Sequence, residues 1–439
     1  MSKILFIPSD HGGGRGHVAR CIYLANKLRE KGHDSAIVLE EKHFKSSQKE
    51  NIRSFLLNTK KERIVKYQFK KPFKPAVQLN TRITKYPVFV GFGSLAYQVP
   101  RDGYLSPRLV NYRFNQLAKI VDEFKPDILV GDTHFLTWPL GRKFNLPVVQ
   151  ITRLAGYPPH PKFLWWERKK WTYTEPDALM PFSDLMDKLS FNGMSKAEDL
   201  LTGDRYVIPS SRKLEPVKDD ENSVIYCGAL SEFHGPGKSI PLFDNKDEYP
   251  KIYVTIGGGA ARANEKQFFE SIISAFNKTE FDVLVSTGKR VKAAKYNRRS
   301  ANIQFVDWAP GTSAIRQSDL VIFHGGYGTA MEVVLSGKPS IVIPSHSEQE
   351  GNGRRLEKLG VSKTIIPIAR ETPMDVLEYS WPYGDYQMLA GFDFKLDEQE
   401  LLSSVRELLG EDIYAKAGKL SVDLKKHQAE ADYDNIIKF

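Results

Sequence analysis

The chain has 439 residues, of which 41% are hydrophobic and 26% are charged. These proportions are typical of a folded globular protein and exclude disorder along the whole chain. The formal net charge of +10 is spread over the full length, so it permits an acidic ligand without identifying one. Two cysteines, Cys21 and Cys227, are too few for a disulfide scaffold or a cysteine-based metal site, and we expect a cytoplasmic protein.

The first part of the chain is predicted to be a strand, a glycine-rich loop, a helix and a second strand. Residues 4–8 form a short apolar run, and apolar residues then recur at helical spacing from Val18 to Leu28. Gly32 is expected to end this helix. Further strands are predicted at residues 36–39, 128–130, 147–151 and 223–227. This alternation is typical of a parallel sheet covered by helices.

Residues 231–249 are rich in glycine, proline and charge, which predicts a linker. The strand and helix alternation then restarts, with strands predicted at residues 252–256, 282–286, 303–306, 320–323, 340–343 and 363–366. We therefore predict two doubly wound α/β domains, residues 1–230 and 250–395, that face a central cleft. The charged helical segment 396–439 is expected to pack back towards the first domain.

The most informative motif is HGGYGTAME, residues 324–332, where a predicted buried strand leads into a helix. Gly325, Gly326 and Gly328 would let backbone N–H groups approach a ligand at the positive end of the helix dipole, which favours an anion such as a diphosphate. His324 adds a side-chain donor, and Glu332 can accept hydrogen bonds from sugar hydroxyls. A glycine-capped turn with a structural histidine and a surface glutamate is the alternative interpretation.

Two further elements lie on either side of this motif at matching spacing: Trp308-Ala309-Pro310 before it and Glu348-Gln349-Glu350-Gly351-Asn352 after it. Together they resemble the donor-binding motif of family 1 glycosyltransferases and their bacterial relatives. The resemblance implies the GT-B fold, with two Rossmann-like domains, and a nucleotide-diphosphate sugar as donor.

The resemblance also implies roles for individual residues. Trp308 would stack on the base, Glu332 would bind the ribose, and Glu348 and Gln349 would bind hydroxyls of the transferred sugar. The residues expected at the diphosphate are His324, Gly326, Gly328, Thr329 and Gly258. Gly258 can equally belong to an ordinary tight turn. Many plant members have glutamine where this chain has Gly311, so the base stays open between uracil, thymine and guanine, with a UDP-sugar expected.

The loop Gly12-Gly13-Gly14-Arg15-Gly16-His17 does not fit the dinucleotide pattern G-x-G-x-x-G, because, with Gly12 as the first glycine, His17 stands where the last glycine is required. A dehydrogenase is therefore the weaker interpretation. The loop resembles the first loop of two-domain glycosyltransferases, including the N-acetylglucosaminyltransferase of peptidoglycan synthesis. This implies that His17 is the general base, that Asp132 orients it, and that Gly14 and Arg15 lie near the donor. Helix capping is the alternative for both His17 and Asp132.

The same loop also resembles a nucleotide-sugar hydrolase related to these transferases, so a hydrolase or epimerase of the same fold is the rival function. A binding protein without activity is a further alternative. The resemblance implies metal-independent, inverting transfer without a cofactor. Basic and aromatic residues at 60–74 and 162–173 predict a membrane-surface patch for a lipid-linked acceptor, an aromatic acceptor pocket, or a solvated face. No nucleic-acid-binding module is recognisable.

Overall fold

The computed structural model of the protein describes residues 1–10, 15–41, 43–44, 52–58, 78–79, 87–163, 174–218, 223–231, 242–243, 249–257, 264–297, 300–369 and 374–439. Among the described residues the strands, in chain order, are β1 (Lys3–Pro8), β2 (Asp34–Glu40), β3 (Arg53–Leu57), β4 (Gln78–Leu79), β5 (Phe89–Gly91), β6 (Ile128–Asp132), β7 (Val148–Ile151), β8 (Arg205–Ile208), β9 (Val224–Tyr226), β10 (Lys251–Thr255), β11 (Asp282–Ser286), β12 (Ile303–Val306), β13 (Leu320–Phe323), β14 (Ser340–Val342), β15 (Ser362–Thr364), β16 (Asp375–Trp381) and β17 (Gly384–Gly391).

The helices of the described residues cover the sheets and connect the strands. They are α1 (Gly16–Glu30), α2 (Gln98–Arg101), α3 (Pro107–Phe124), α4 (Thr137–Phe144), α5 (Ser183–Lys188), α6 (Glu265–Phe276), α7 (Gly311–Gln317), α8 (Tyr327–Leu335), α9 (Ser347–Lys358), α10 (Glu398–Leu408), α11 (Glu411–Ala429) and α12 (Tyr433–Ile436). Short 3-10 turns occur at Leu95–Tyr97, Leu154–Gly156, Met180–Phe182, Ala197–Leu201 and Ala293–Lys295. Within the described ranges, none of these helices combines the length and the apolar character needed to cross a bilayer.

Two parallel sheets form the centres of the two domains. The first has the strand order β3-β2-β1-β6-β7-β8-β9, and the second has the order β12-β11-β10-β13-β14-β15. All their neighbouring strands pair in parallel. Strands such as β6 and β13 are buried along their whole length, as expected for strands with helices on both faces. The predicted fold class of two doubly wound α/β domains is confirmed.

Local sequence accounts for several helix boundaries. Ser106 caps α3 by accepting a hydrogen bond from the Leu109 N–H at 3.3 Å, and Pro107 occupies the first turn. After α8, Gly337 adopts a left-handed φ of +65°, and Pro339 follows two residues later. The local sequence therefore accounts for the end of this helix.

A third sheet, antiparallel with the order β4-β16-β17-β5, is not predicted by the sequence analysis. The hairpin β16–β17 comes from the predicted range 250–395, whereas β4 and β5 come from the first part of the chain. Trp381 and Tyr386 of the hairpin pack within the core of the first domain. The two parts of the chain are thus joined by strand pairing outside the parallel sheets.

The C-terminal helices pack in succession on both domains. Leu401 of α10 lies in the core of the second domain, and Ser421 of α11 donates a hydrogen bond to the carbonyl oxygen of Leu335 in α8 at 2.6 Å. Ile436 of α12 lies in the core of the first domain beside α1. The predicted linker 231–249 and the basic stretch 60–74 lie almost entirely outside the described residues.

Replacing Leu424 of α11 by alanine tests this packing. Leu424 is 0% exposed within the core of the second domain, so L424A should lower the free energy of unfolding by about 2–5 kcal/mol in urea titrations. Val422 on the same helix is 67% exposed, and V422A should change that free energy by no more than about 0.5 kcal/mol. Equal effects of the two variants would show that α11 does not dock as described.

Candidate active site

The carboxyl end of β6 places Asp132 beside His17 at the start of α1. Asp132 is 0% exposed, and its Oδ1 lies 2.6 Å from Nδ1 of His17, whose side chain is 32% exposed. A carboxylate can only accept hydrogen bonds, so Nδ1 carries the proton of this hydrogen bond, and Nε2 is the other ring nitrogen. The pair predicted from the sequence is therefore brought together.

Arg20, one turn into α1, completes this cluster. Its Nε donates to Asp132 Oδ2 and its Nη2 to Oδ1, both at 2.9 Å, and Nη2 also lies 3.0 Å from His17 Nδ1. Burial raises the pKa of the Asp132 carboxyl, but the charges of Arg20 and His17 outweigh it, so that the pKa is lowered overall. Asp132 is thus a buried carboxylate that stays ionised at neutral pH.

Arg153, directly after β7, connects the two domains. Its Nη2 donates to Glu215 Oε1 at 2.9 Å and to Asn352 Oδ1 of α9 at 2.5 Å. The guanidinium lies 3.8 Å from the centre of the Tyr327 ring, on the first turn of α8, an arrangement that favours a cation–π interaction. Asn352 in turn donates to the carbonyl oxygen of Gly325 at 2.8 Å. One side chain of the first domain therefore contacts the first turn of α8 and the second turn of α9.

His324 occupies a space that two glycines leave open. A Cβ atom at Gly257 or at Gly326 would overlap its imidazole ring. Gly257 also adopts a left-handed φ of +70°, which side chains rarely adopt. The turn after β10 and the start of α8 are therefore held against the histidine, at the carboxyl ends of adjacent strands β10 and β13.

The glycines of the motif have different surroundings. A Cβ atom at Gly325 would lie 2.5 Å from the carbonyl oxygen of Gln349, so this glycine is required for the contact between the turn and α9. Gly328 is exposed, and a Cβ atom there would have no heavy atom of the described residues within 4 Å. Thr329 beside it is half-buried. Backbone N–H groups at the start of α8 are thus oriented to bind an anion.

Trp308, Gly311 and Glu332 surround the expected position of the nucleoside. The Trp308 side chain is 58% exposed, with the ammonium of Lys289 5.6 Å from its ring centre. A Cβ atom at Gly311 would lie 3.6 Å from Glu332 Oε2. Burial raises the pKa of the Glu332 carboxyl, and a hydrogen bond from Thr312 partly offsets this. Gly311 thus lies close to the Glu332 carboxylate, and Trp308 has an accessible ring.

Glu348 and Gln349 lie in the first turn of α9 and differ in their contacts. Oε1 of Glu348 is 3.5 Å from Nη1 of Arg153, and its side chain is 42% exposed. Burial acts to raise the pKa of Glu348, but the nearby charges of His346, Arg153, Arg101 and His17 lower it overall. Oε1 of Gln349 accepts hydrogen bonds from the N–H and the hydroxyl of Ser345 at 2.9 and 3.0 Å. Gln349 therefore holds the turn before α9.

Other predicted positions are less informative. Arg15 is an exposed residue at the start of α1 and caps the helix only through its backbone. Gly14 and Gly258 lie outside the described residues. Sequence reasoning missed Arg153 and Glu215. Arg153 follows a buried strand at its carboxyl end, which is the same signal that identifies Asp132, so it could have been found.

Comparison with known proteins finds similarity to glycosyltransferases. Residues 252–377 match the family model of the glycosyltransferase family 28 C-terminal domain. The oleandomycin glycosyltransferase of Streptomyces antibioticus is 24% identical over 60% of this chain and 63% of that protein. An uncharacterized glycosyltransferase of Methanosarcina mazei is 24% identical over 83% of this chain and 86% of that protein. The chain thus aligns with less than two thirds of the length of the oleandomycin enzyme.

The fold has a similarly clear counterpart among solved structures. The calicheamicin glycosyltransferase CalG4 superposes with a TM-score of 0.67 at 15% identity, covering 98% of this chain and 95% of that one. At this level of identity the likeness establishes the fold, which is GT-B. Together with the match in the second domain, it confirms the resemblance to family 1-like glycosyltransferases that the sequence motifs indicated.

Proposed function

We propose that the protein is an inverting glycosyltransferase that moves a sugar from a nucleotide-diphosphate sugar, in the first place a UDP-sugar, to an acceptor hydroxyl. The observation that carries this proposal is the pairing of His17 with the buried, ionised Asp132, in a cluster whose Arg20 guanidinium lies 5.7 Å from the ring centre of Tyr327 at the start of α8. His17 would then act as the general base, and the start of α8 would bind the diphosphate of the donor.

The donor would bind to the second domain. Trp308 stacks on the base, and Glu332 accepts hydrogen bonds from the ribose hydroxyls. The diphosphate lies at the start of α8, where His324 and the N–H groups near Gly328 donate to it. Glu348, held near Arg153, accepts hydrogen bonds from the transferred sugar.

In the reaction, the acceptor hydroxyl gives its proton to Nε2 of His17 while its oxygen attacks the anomeric carbon. The bond from that carbon to the diphosphate oxygen breaks, and the electron pair leaves with the diphosphate. The start of α8 stabilises the developing negative charge, a role that needs no metal ion. Asp132 stabilises the imidazolium that forms. Because attack occurs on the face opposite the leaving group, the anomeric configuration inverts.

A nucleotide-sugar hydrolase is the second candidate, because His17 and Arg20, which both contact Asp132, follow the loop that resembles that of such enzymes. In that reaction water would replace the acceptor at His17. Release of nucleoside diphosphate without any acceptor, at the rate seen with acceptor, would identify a hydrolase.

Replacing His17 by alanine should lower kcat for transfer by about 100- to 10,000-fold, because the general base is lost. The affinity for the nucleoside diphosphate, measured by calorimetry in EDTA, should stay nearly unchanged. His33 is a matched control because it directly precedes β2. It therefore lies where the strands of the sheet begin, whereas His17 lies where they end. H33A should retain activity, and retained turnover in H17A would rule out His17 as the base.

Replacing Glu332 by alanine should weaken nucleoside diphosphate binding by about tenfold or more. A hydrogen bond to a charged group contributes about 1.5–3 kcal/mol, and about 1.4 kcal/mol corresponds to a tenfold change in affinity. The ligand should be whichever of UDP, dTDP and GDP gives the largest thermal shift with the wild type. E332Q keeps an acceptor oxygen and should bind more tightly than E332A. Unchanged affinity in both variants would contradict the ribose role.

Replacing Arg20 by glutamine should change the pH dependence of stability. The lowered pKa of Asp132 means that its ionised form stabilises the fold above the ordinary value of 3.8, and this contribution is lost as the pH falls through the lower folded-state pKa. Without Arg20 that pKa rises towards the ordinary value, so in R20Q the loss of stability at low pH should be smaller and should be complete at a higher pH. Urea unfolding measured between about pH 2 and 7 tests this shift. D132N should not show the step at all, and identical pH profiles for R20Q and wild type would refute the described ion pair.

A further inference from the structure

Tyr327 is the first residue of α8, and it takes part in two sets of contacts. Ala330, the fourth residue of the helix, donates its N–H to the carbonyl oxygen of Gly326 at 3.0 Å. The N–H groups of the three residues before Ala330 have no carbonyl partner within the helix, and they are the groups proposed to bind the diphosphate. The Tyr327 side chain, in contrast, is buried against the first domain. Its backbone therefore belongs to the proposed donor site, whereas its side chain belongs to the contact between the domains.

The Tyr327 hydroxyl holds α8 against the carboxyl end of β8. It donates a hydrogen bond at 2.8 Å to the carbonyl oxygen of Pro209, which directly follows β8. Burial raises the pKa of this hydroxyl, so it keeps its proton at neutral pH and acts as the donor. Met331 lies on the same face of α8 one turn later, and its Sδ is 4.0 Å from the hydroxyl of Ser210. This face of α8 is therefore in contact with the first domain at two places.

The ring of Tyr327 contacts two guanidinium groups of the first domain. Cζ of Arg153 lies 3.8 Å from the ring centre, and Cζ of Arg20 lies 5.7 Å from it. Both distances are within the roughly 6 Å over which a cation–π interaction is effective, and the interaction is stronger where water is excluded. Tyr327 is 8% exposed and Arg20 is 9% exposed, so water has little access to this contact. Arg20 is therefore held by the Tyr327 ring of the second domain as well as by Asp132 of the first.

Arg20 and His17 share one carboxylate oxygen. Oδ1 of Asp132 lies 2.6 Å from Nδ1 of His17 and 2.9 Å from Nη2 of Arg20. The two nitrogens are themselves only 3.0 Å apart. Because both approach the same oxygen, the position of the guanidinium limits the positions that the imidazole can take. A series of direct contacts thus leads from the first turn of α8 through Tyr327 and Arg20 to His17.

We propose that Tyr327 is a positioning residue for His17 and that it acts through Arg20. A diphosphate bound to the N–H groups at the start of α8 fixes the first turn of the helix, and with it the Tyr327 ring. The ring then holds the Arg20 guanidinium, which with Asp132 sets the orientation of the imidazole. The inference rests on the proposed function and adds that the group which binds the donor also orients the base.

The test follows His17 directly by NMR, in full-length protein labelled with ¹³C at Cε1 of its ten histidines. The His17 signal is assigned from its absence in H17Q. The probe is whichever of UDP, dTDP and GDP gives the largest thermal shift, and at saturation it should move the His17 signal of the wild type. In Y327L most of this movement should be lost, whereas the affinity for the nucleotide, measured by calorimetry, should stay within about threefold of wild type. The signal of His33 should not move in either protein.

Three variants separate the Tyr327 ring from a general loosening of α8. Y327F keeps the ring and should keep the movement of the His17 signal. M331A removes the neighbouring contact with Ser210, on the same face of the helix, and should also keep it. R20Q interrupts the series of contacts on the other side of the ring and should lose the movement, so the inference can be tested even if Y327L does not fold.

The outcomes distinguish this inference from the proposed function. A direct effect of the nucleotide charge on the imidazole would persist without the Tyr327 ring. Movement of the His17 signal in Y327L or R20Q equal to that in the wild type would therefore overturn the inference and leave the proposed donor site standing. Equal losses in M331A and Y327L would also overturn it, because any disturbance of α8 would then suffice. Failure of the wild type to bind any of the three nucleotides would contradict the proposed function as well.

Discussion

The guanidinium of Arg153 holds together the parts of the molecule on which the site depends. It is largely buried, so it requires partners that compensate for its lost hydration, and Glu215, Asn352 and the Tyr327 ring provide them. These partners come from both domains. The same contacts hold the start of α8 and helix α9 in place. In the proposed donor site, the start of α8 binds the diphosphate and Glu348 of α9 binds the transferred sugar, so both parts of the site depend on Arg153.

A second constraint is the close packing around His324. Gly257 and Gly326 leave room for the imidazole, and Gly325 allows the turn to approach the backbone of α9. The glycines are thus needed for contacts within the protein as well as for contact with a ligand. Gly328 differs, because nothing in the described structure fills the space beside it. It is the position in the motif where ligand approach best explains glycine.

The sequence predicted the parallel strands well because a buried strand with helices on both faces is a continuous apolar run. Strands β11, β12 and β13 have the predicted bounds. Asp132 and His17 were found because the sequence around them resembles that of two-domain glycosyltransferases, and their place at the carboxyl ends of strands agrees with where ligand sites form in such sheets. Helix α3 was not predicted, although Ser106 and Pro107 form a recognisable start. Arg153 was overlooked, although its position after β7 resembles that of Asp132.

The sequence by itself determined the two α/β domains, the glycine-rich turns and the His17–Asp132 pair, because each depends on local pattern or on the common edge of a parallel sheet. The tertiary structure alone decided the antiparallel sheet. The hairpin β16–β17 pairs with β4 and β5, which lie about 300 residues earlier in the chain, and no local pattern specifies so distant a partner. Gln349 and Glu348 are a second example. They are adjacent in one motif, but only the tertiary structure shows that Gln349 holds the turn before α9 and that Glu348 lies near Arg153.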